Sequence, residues 1–181
     1  MIDARKELLG MLRSTLAQGP VKLASGKMSD FYIDGRITSL DGRGLLLIGE
    51  AFYNLYKDRG LDAVGGPTLG ADPIVSAVAY TFALKGKPIN AFIIRKEPKG
   101  YGKQAWVEGP ALKPGAKVAI LEDVCTTGGS ALKAIEGLRQ QYEPEIVSVS
   151  CLVDRQEGAA EAFAKAGLKF EPLFTRKDFG K

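Results

Sequence analysis

Apolar residues recur along this chain with two different spacings, and the alternation between them predicts the order of helices and strands. An apolar position every three or four residues is typical of an amphipathic helix, whereas a short unbroken apolar run is typical of a buried strand. The first pattern predicts helices over residues 3–19, 41–60, 73–84, 131–142 and 157–166. The second predicts strands over residues 31–33, 63–66, 89–94, 117–121, 146–153 and 169–174. Asp3 and Asp41 are suited to cap the first two helices, and Pro73 suits the first turn of the third.

Strands that alternate with helices in this way indicate an α/β fold. Its centre is expected to be a parallel sheet with right-handed crossovers, flanked by helices. A chain of 181 residues suits one domain spanning residues 1–181. We expect residues 1–40 to form a small N-terminal cap over the carboxyl edge of the sheet, where open α/β sheets bind their ligands. Residues 96–109, rich in Gly, Pro and Lys, predict a long mobile loop or an extended hairpin.

The charge and hydropathy of the chain favour a small anionic ligand over nucleic acid or a membrane. Lys and Arg number 25 against 21 Asp and Glu, so the net charge is +4. This excess is too small and too dispersed for a nucleic-acid surface. No apolar run approaches the length of about 18 residues that a membrane span needs, and the charged N-terminus lacks the apolar core of a signal peptide. A cytoplasmic location without nucleic-acid or membrane partners is therefore expected.

The chain contains no histidine, which excludes several classes of site. Acid–base catalysis by histidine, Ser–His triads and His-ligated zinc are all ruled out. A metal would have to be held by oxygen, which points to Mg²⁺ together with phosphates. The two cysteines, Cys125 and Cys151, have no metal-binding or redox spacing, so we interpret them as free thiols in a reducing cytoplasm.

Residues 118–130 read VAILEDVCTTGGS and carry the strongest functional signal. The apolar run ends at two adjacent acids, Glu122 and Asp123, which are expected at the carboxyl end of a buried strand. A loop rich in hydroxyls and glycine then leads into a helix. Such a loop forms an anion site, because free backbone N–H groups and the helix dipole both face the ligand. The acids suit the hydroxyls of a ribose, and the loop suits its phosphate. The alternative, a strand–turn–helix without function, is disfavoured because a strand end inside a sheet rarely carries two charges.

This segment resembles the phosphoribosyl-pyrophosphate motif of the type I phosphoribosyltransferases. Four further segments resemble the orotate phosphoribosyltransferases, in the same order and over nearly the full chain. They are Leu23–Arg36 (LASGKMSDFYIDGR), Gly65–Pro73 (GGPTLGADP), Arg95–Gly102 (RKEPKGYG) with Val107–Gly109, and Val153–Gly158 (VDRQEG). They are similar to the family's base-binding segment, its pyrophosphate loop, its catalytic loop and the segment after the next strand. Taken singly, each would be a turn, a solvated loop face or a local ion pair.

The chain departs from the family pattern at four positions. Many members carry Lys where Ala24 and Gly70 stand, so two cationic contacts are missing or replaced. The catalytic loop often carries His where Tyr101 stands, which we interpret as a variant that keeps activity. Some members have Asp where Glu122 stands, and both acids can bind hydroxyls.

The resemblance implies transfer of the 5-phosphoribosyl group from 5-phosphoribosyl 1-pyrophosphate (PRPP) to N1 of orotate, giving orotidine 5′-monophosphate and pyrophosphate. It implies Lys99, Glu122 and Asp123 as catalytic residues. The implied substrate-binding residues are Tyr32, Ile33, Arg95, Lys96, Lys99, Tyr101, Glu122, Asp123, Val124, Cys125, Thr126, Thr127, Gly128, Gly129, Ser130 and Arg155. It also implies Mg²⁺ as the cofactor, held mainly through substrate oxygens without dedicated protein ligands. The family further implies a homodimer in which Lys99 and Tyr101 act in the neighbouring active site.

Two other functions stay open on the sequence. One is another type I phosphoribosyltransferase acting on a purine or uracil, in which Arg155 would have no substrate carboxylate to bind. The other is a non-catalytic regulator that senses PRPP and binds nucleic acid. It would need a basic face or an added binding module, for which 181 residues leave little room. Trp106 is interpreted as a packing residue.

Overall fold

The computed structural model describes residues 4–17, 19–22, 26, 28–98 and 105–180. The described helices are α1 Ala4–Ser14, α2 Gly35–Ser39, α3 Gly42–Tyr56, α4 Asp72–Leu84, α5 Gly129–Gln141 and α6 Ala159–Lys165, with a 3₁₀ helix at Arg176–Phe179. The described strands are β1 Val21–Lys22, β2 Met28–Ser29, β3 Ala63–Pro67, β4 Asn90–Ile94, β5 Val107–Glu108, β6 Lys117–Cys125, β7 Glu145–Asp154 and β8 Phe174–Thr175. Strands β1 and β2 form a small antiparallel hairpin, and the other six form a central sheet in the order β5-β4-β3-β6-β7-β8.

Strands β4, β3, β6, β7 and β8 run parallel, as the alternation of helices and strands predicts. The exception to the predicted parallel sheet is β5, which pairs antiparallel with β4. In this pair Ile93 lies opposite Glu108 and Ile94 lies opposite Val107. An antiparallel neighbour, unlike a parallel one, needs no crossover helix. The end of the 96–109 segment is therefore an edge strand, in agreement with the extended-hairpin interpretation.

Apolar side chains pack on both faces of the central sheet, which explains why its strands read as unbroken apolar runs. On one face, α3 contributes Ile48 and Phe52 and α4 contributes Val78 to a core that also includes α1. On the other face, Ile135 of α5 and Phe163 of α6 belong to a second core. Strand β6 lies between β3 and β7, so its carboxyl end is held near the middle of one edge of the sheet.

Helix starts follow two of the predicted signals. The side chain of Asp41 accepts hydrogen bonds from the backbone N–H groups of Arg43 and Gly44 at the start of α3. Pro73 lies in the first turn of α4, where its missing N–H removes no helical hydrogen bond. Asp3, the other predicted cap, lies outside the described residues.

The predicted strand at 31–33 is not formed. Phe31 is buried against the ring of Phe179, with the ring centroids 5.4 Å apart, and Ile33 makes a single bridge to Leu16. The residues of this segment are therefore apolar because they are buried beneath the 3₁₀ helix, and not because they form a strand of the sheet. Helix α2 and the β1–β2 hairpin, which no periodic pattern marks, fall on either side of it.

Two sheet strands differ in length from the predictions. The predicted strand at 169–174 is reduced to β8 and an isolated bridge between Phe170 and Val149. Strand β6 is longer than predicted and runs to Cys125, so Glu122 and Asp123 lie within the strand rather than beyond its end. Strand β7 runs alongside to Asp154 and supplies the pairing that extends β6.

Candidate active site

The carboxyl ends of β3, β4, β6 and β7 surround a cavity of about 640 Å³. Its lining includes many of the residues singled out from the sequence: Tyr32, Ile33, Arg95, Lys96, Glu122, Asp123, Val124, Thr126, Ser130 and Arg155. These residues come from four separate parts of the chain, 32–33, 95–96, 122–130 and 155. The fold thus brings together the acidic pair, the hydroxyl-rich loop, the start of the 96–109 segment and the 32–33 segment.

Other predicted residues are placed differently. Four residues of the 122–130 segment are not among those that line the cavity: Cys125, Thr127, Gly128 and Gly129. The buried Cys125 thiol donates a hydrogen bond to Oε2 of Glu122 at 3.1 Å. Contact with Cys151 and burial both raise the pKa of this thiol, so it stays a neutral donor. Lys99 and Tyr101 lie outside the described residues, so their assignments stay predictions.

Gly70, noted above as a departure from the family pattern, also lines the cavity. So do residues that the sequence did not single out individually: Asp34, Gly35, Arg36, Pro67, Thr68, Leu69, Glu97, Lys133 and Ala134. Most of them lie in, or next to, segments that the family resemblance marks. Lys133 and Ala134 carry a different signal. They follow Ser130 by three and four residues, which places all three on one face of α5.

The turn after β3 begins later than the start of the segment that resembles the family's pyrophosphate loop. Gly65 and Gly66 open that segment, but both lie within β3, as the strand predicted over residues 63–66 requires. A Cβ at Gly65 would lie 2.1 Å from the Phe92 ring, and one at Gly66 would lie 2.0 Å from the Leu121 carbonyl oxygen. The two glycines therefore allow close packing against neighbouring chain segments. The part of this segment that faces the cavity is 67–70.

Glu122 is buried and Asp123 is half-buried, and this cavity is electrostatically unfavourable for both carboxylates. Burial raises the pKa of Glu122 to about 7, while the Cys125 hydrogen bond opposes this shift and the Asp123 charge adds to it. Burial also raises the pKa of Asp123, against a hydrogen bond from the Val124 N–H at 2.8 Å and the charge of Arg36. Carboxylates held in this way favour a ligand that brings hydroxyl donors or a cation.

One side of the cavity is built on the start of α5. Gly128, with a φ of 78°, precedes the helix in the left-handed conformation that favours glycine. Thr126 and Ser130 line the cavity on either side of it. The first N–H groups of a helix have no acceptor within it, so this end of α5 is suited to a phosphate.

Arg155 lies at the carboxyl end of β7 and is almost fully buried. Its Nη2 donates to Oγ of Ser29 at 2.9 Å and to Oε1 of Glu157 at 2.7 Å. Two acids lie close to Arg155 in the sequence. Glu157 makes an ion pair with it, whereas Asp154 accepts a hydrogen bond from the Gln156 N–H. Arg155 therefore ties the β1–β2 hairpin to the edge of the sheet.

Comparison with known proteins accounts for this arrangement. The phosphoribosyl transferase domain family matches residues 40–171. An orotate phosphoribosyltransferase of a Bradyrhizobium species is 43% identical over 180 residues, covering 97% of each chain. The chain belongs to the orotate phosphoribosyltransferase family. The family protein of Aquifex aeolicus is 48% identical over 160 residues, covering 88% of this chain and 86% of that protein.

Solved structures of the family have the same fold. The orotate phosphoribosyltransferase of Mycobacterium tuberculosis, in complex with Fe(III) dicitrate, superposes with a TM-score of 0.85 at 38% identity, covering 98% of this chain and 99% of that one. The same enzyme in complex with PRPP gives a TM-score of 0.81 at 35% identity, with the same coverage. The expected type I phosphoribosyltransferase fold, a mainly parallel sheet flanked by helices, is thereby confirmed.

Family membership also bears on the departures noted in the sequence. Ala24 lies outside the described residues, so its surroundings are not part of the site geometry. Gly70 lines the cavity directly beside Asp123, in the turn where many members of the orotate phosphoribosyltransferase family carry Lys. Glu122 keeps the acidic character of the family motif.

Proposed function

We propose that this chain transfers the 5-phosphoribosyl group from PRPP to N1 of orotate, releasing pyrophosphate and forming orotidine 5′-monophosphate for the synthesis of UMP. One observation carries the proposal. A single cavity holds the adjacent acids Glu122 and Asp123 and a glycine-rich helix start beside a buried arginine, Arg155. The acids and the helix start suit a ribose phosphate, and the arginine suits a base that carries a carboxylate.

The reaction needs positioning and charge neutralisation rather than a protein nucleophile. N1 of orotate attacks C1′ as the bond from C1′ to the pyrophosphate oxygen breaks, and the N1 proton is lost to the leaving pyrophosphate. Positive charge develops on the ribose and negative charge on the leaving group. Ionised Glu122 and Asp123 would bind the 2′- and 3′-hydroxyls and favour the cationic ring. Residues of the 126–130 loop would hold the 5′-phosphate.

The remaining assignments follow the same division of the cavity. We assign Arg95, Lys96, Lys99 and Tyr101 to the pyrophosphate. Nη1 of Arg95 is paired with Glu108 at 3.2 Å, which holds this arginine at the end of β4. Arg155 would bind the orotate carboxylate or a ring carbonyl, and backbone groups near Tyr32 and Ile33 would contact the edge of the pyrimidine. Exclusion of water around PRPP would prevent its hydrolysis.

We propose Mg²⁺ as the cofactor, held mainly through substrate oxygens. Within the described ranges, no group of three or more His, Cys, Asp or Glu side chains is placed to hold a metal by itself. Burial raises the pKa of Glu122 and of Asp123 because their negative charges are poorly compensated. A cation that arrives with the substrate would compensate these charges, so the two acids fit it. When bound, Mg²⁺ neutralises negative charge on the pyrophosphate oxygens.

We also propose that residues 1–181 act as one domain and that the chain works as a homodimer with shared active sites. Leu46 of α3 and Tyr80 and Leu84 of α4 are exposed apolar residues around one groove, which supports burial against a second copy. Mixing Asp123→Ala with Lys99→Ala tests the sharing. Recovered activity supports it, and activity no higher than that of the single variants contradicts it.

No helix of the described residues is long and apolar enough to cross a membrane. We propose a cytoplasmic location for the reaction, on the grounds of the sequence features given above.

The deciding experiment follows loss of the orotate ultraviolet band in the presence of PRPP and Mg²⁺. Turnover that disappears without Mg²⁺ and in Asp123→Asn supports the reaction, the cofactor and the site together. Pyrophosphate release with adenine, hypoxanthine, xanthine or uracil, but not with orotate, would contradict the choice of base. Inactivity with every base would favour a regulator, for which a salt-sensitive complex with nucleic acid is the test.

A further inference from the structure

The turn after β7 folds Glu157 back onto Arg155, and this contact bears on how the base is selected. Nη2 of Arg155 donates to Glu157 Oε1 at 2.7 Å and to Ser29 Oγ at 2.9 Å. The Arg155 side chain is 6% exposed and that of Glu157 is 33% exposed. A buried guanidinium needs partners that fix its position and balance its charge. Glu157 supplies the charge, and Ser29 supplies a second acceptor.

The backbone of this turn favours the contact. Gln156 has a φ of 56°, in the left-handed region that residues other than glycine seldom adopt. Its N–H donates to Oδ1 of Asp154 at 2.8 Å, which holds the turn. The turn draws together the side chains on either side of Gln156. An unusual backbone conformation kept beside a candidate active site points to a functional constraint.

The Arg155 guanidinium keeps donors that neither Glu157 nor Ser29 uses. Its Nε is buried and has no hydrogen-bond partner among the described residues, although Arg155 lines the cavity. Both hydrogens of Nη2 are already used by Glu157 and Ser29. A buried donor without an acceptor is unfavourable, so a ligand oxygen that reaches Nε gains binding energy.

We propose that Glu157 is a positioning residue that, together with Ser29, orients the Arg155 guanidinium so that a donor not used by these two residues meets the carboxylate of the base. The inference rests on the proposed function and takes the carboxylate, of the two orotate groups named there, as the partner of Arg155. Glu157 is not among the residues that line the cavity, so it acts through Arg155. Its effect is confined to ligands that carry the carboxylate, and it therefore sets the preference for orotate over uracil.

The test compares two nucleotides that differ only in this carboxylate. Orotidine 5′-monophosphate and uridine 5′-monophosphate are titrated calorimetrically into the full-length wild type, Glu157→Ala and Glu157→Gln. We expect Glu157→Ala to weaken orotidine 5′-monophosphate binding roughly tenfold, in line with the loss of one charged hydrogen bond. Binding of uridine 5′-monophosphate should stay unchanged. Glu157→Gln, which can still accept from Nη2, should lose less.

Two controls separate positioning from folding. Glu161→Ala removes an equal charge from the first turn of α6 and should leave both affinities unchanged. Ser29→Ala removes the other acceptor and should also weaken only the carboxylated nucleotide. Equal loss for both nucleotides in Glu157→Ala, or tighter binding of orotidine 5′-monophosphate, overturns the positioning role. A wild type that binds both nucleotides equally would instead contradict the assignment of the base itself.

Discussion

The carboxylate of Asp123 occupies the space that a side chain at Gly70 would need. A Cβ placed on Gly70 would lie 2.5 Å from Asp123 Oδ1 and 2.6 Å from its Cγ. On the other side, a Cβ on Gly35 would lie 3.1 Å from the Asp123 Cβ. Asp123 is thus held between two backbone segments that come from different parts of the chain. At position 70, where many family members carry Lys, this chain has a glycine that allows the Asp123 carboxylate to lie against the backbone.

We therefore expect Gly70→Ala to displace the Asp123 carboxylate and to lower kcat/KM for PRPP roughly 10- to 100-fold, since small misplacements at a reacting centre have effects of this size. Initial rates with saturating orotate measure the change. Gly10→Ala, in α1, is the matched control, because a Cβ there meets nothing within 4 Å. A Gly70→Ala enzyme with wild-type kinetics would show that the carboxylate moves aside without effect.

The sequence predicted the strands and helices whose apolar residues pack into the core. Strands β3 and β6 and helices α3 and α4 carry long apolar patterns, and packing against the sheet keeps them as the pattern indicates. The sequence did not predict helix α2 or the β1–β2 hairpin. These elements have only two to five residues each, which is too short for a periodic pattern of apolar residues to be recognised. They depend on the Asp34 cap and on the hydrogen bond from Arg155 to Ser29, which joins residues far apart in sequence.

The site was predictable where its residues are contiguous. Glu122, Asp123, Thr126 and Ser130 share one strand–loop–helix segment, and all four line the cavity. Asp34 and Arg36 also line it, but no local pattern distinguishes them from a solvated ion pair on a turn. The distance between elements decides their role, and that distance is a property of the packed fold.

The acid Glu122 gives a stability that depends on pH. Its pKa in the fold is about 7, above the ordinary value of 4.5, because burial disfavours the charged form. The folded state therefore holds a proton that the unfolded state has lost, and stability falls as the pH rises from about 4.5 to 7. The shift corresponds to roughly 3 kcal/mol. We expect Glu122→Gln to gain about this much over wild type between pH 4.5 and pH 8.

Urea unfolding of both proteins at a series of pH values measures this difference. Glu136→Gln, an exposed acid on α5, serves as the control and should track the wild type at every pH. A stability difference between Glu122→Gln and wild type that does not change with pH would show that Glu122 is ionised to the same extent in both states.

Trp106 anchors the strand end of the 96–109 segment on α5. A Cβ on Gly137 would lie 2.4 Å from its ring, and its Nε1 donates to Oε1 of Gln140 at 3.0 Å. We expect Gly137→Ala to displace the indole and to destabilise the protein by about 1–3 kcal/mol. Helix propensity alone would favour Ala over Gly by about 1 kcal/mol. A net loss of stability in Gly137→Ala would therefore come from the steric clash between the new Cβ and the Trp106 ring.

Trp106 is the only tryptophan of the chain, so its fluorescence reports this contact directly. Gly137→Ala should shift the emission maximum and make the indole more accessible to acrylamide, whereas Gly10→Ala should change neither. An unchanged spectrum together with a gain in stability would mean that the Trp106 ring does not pack against Gly137.

Tyr56 forms a buried polar contact beneath the sheet. Its hydroxyl lies 2.8 Å from Oγ of Ser148 and 2.5 Å from Oγ of Ser150, and burial raises its pKa so that it stays protonated. Tyr56→Phe removes the partner that both serines share. We expect a loss of about 1–3 kcal/mol in the free energy of unfolding, because a buried hydroxyl is left unsatisfied.

Replacing the serines in the Tyr56→Phe protein distinguishes this cause from lost packing. Ser148→Ala and Ser150→Ala together remove the unsatisfied hydroxyls, so the triple variant should recover much of the stability that Tyr56→Phe loses. Urea unfolding of the single and triple variants gives the comparison. A triple variant less stable than Tyr56→Phe would show that the serines contribute through other contacts, and that the tyrosine hydroxyl is not what satisfies them.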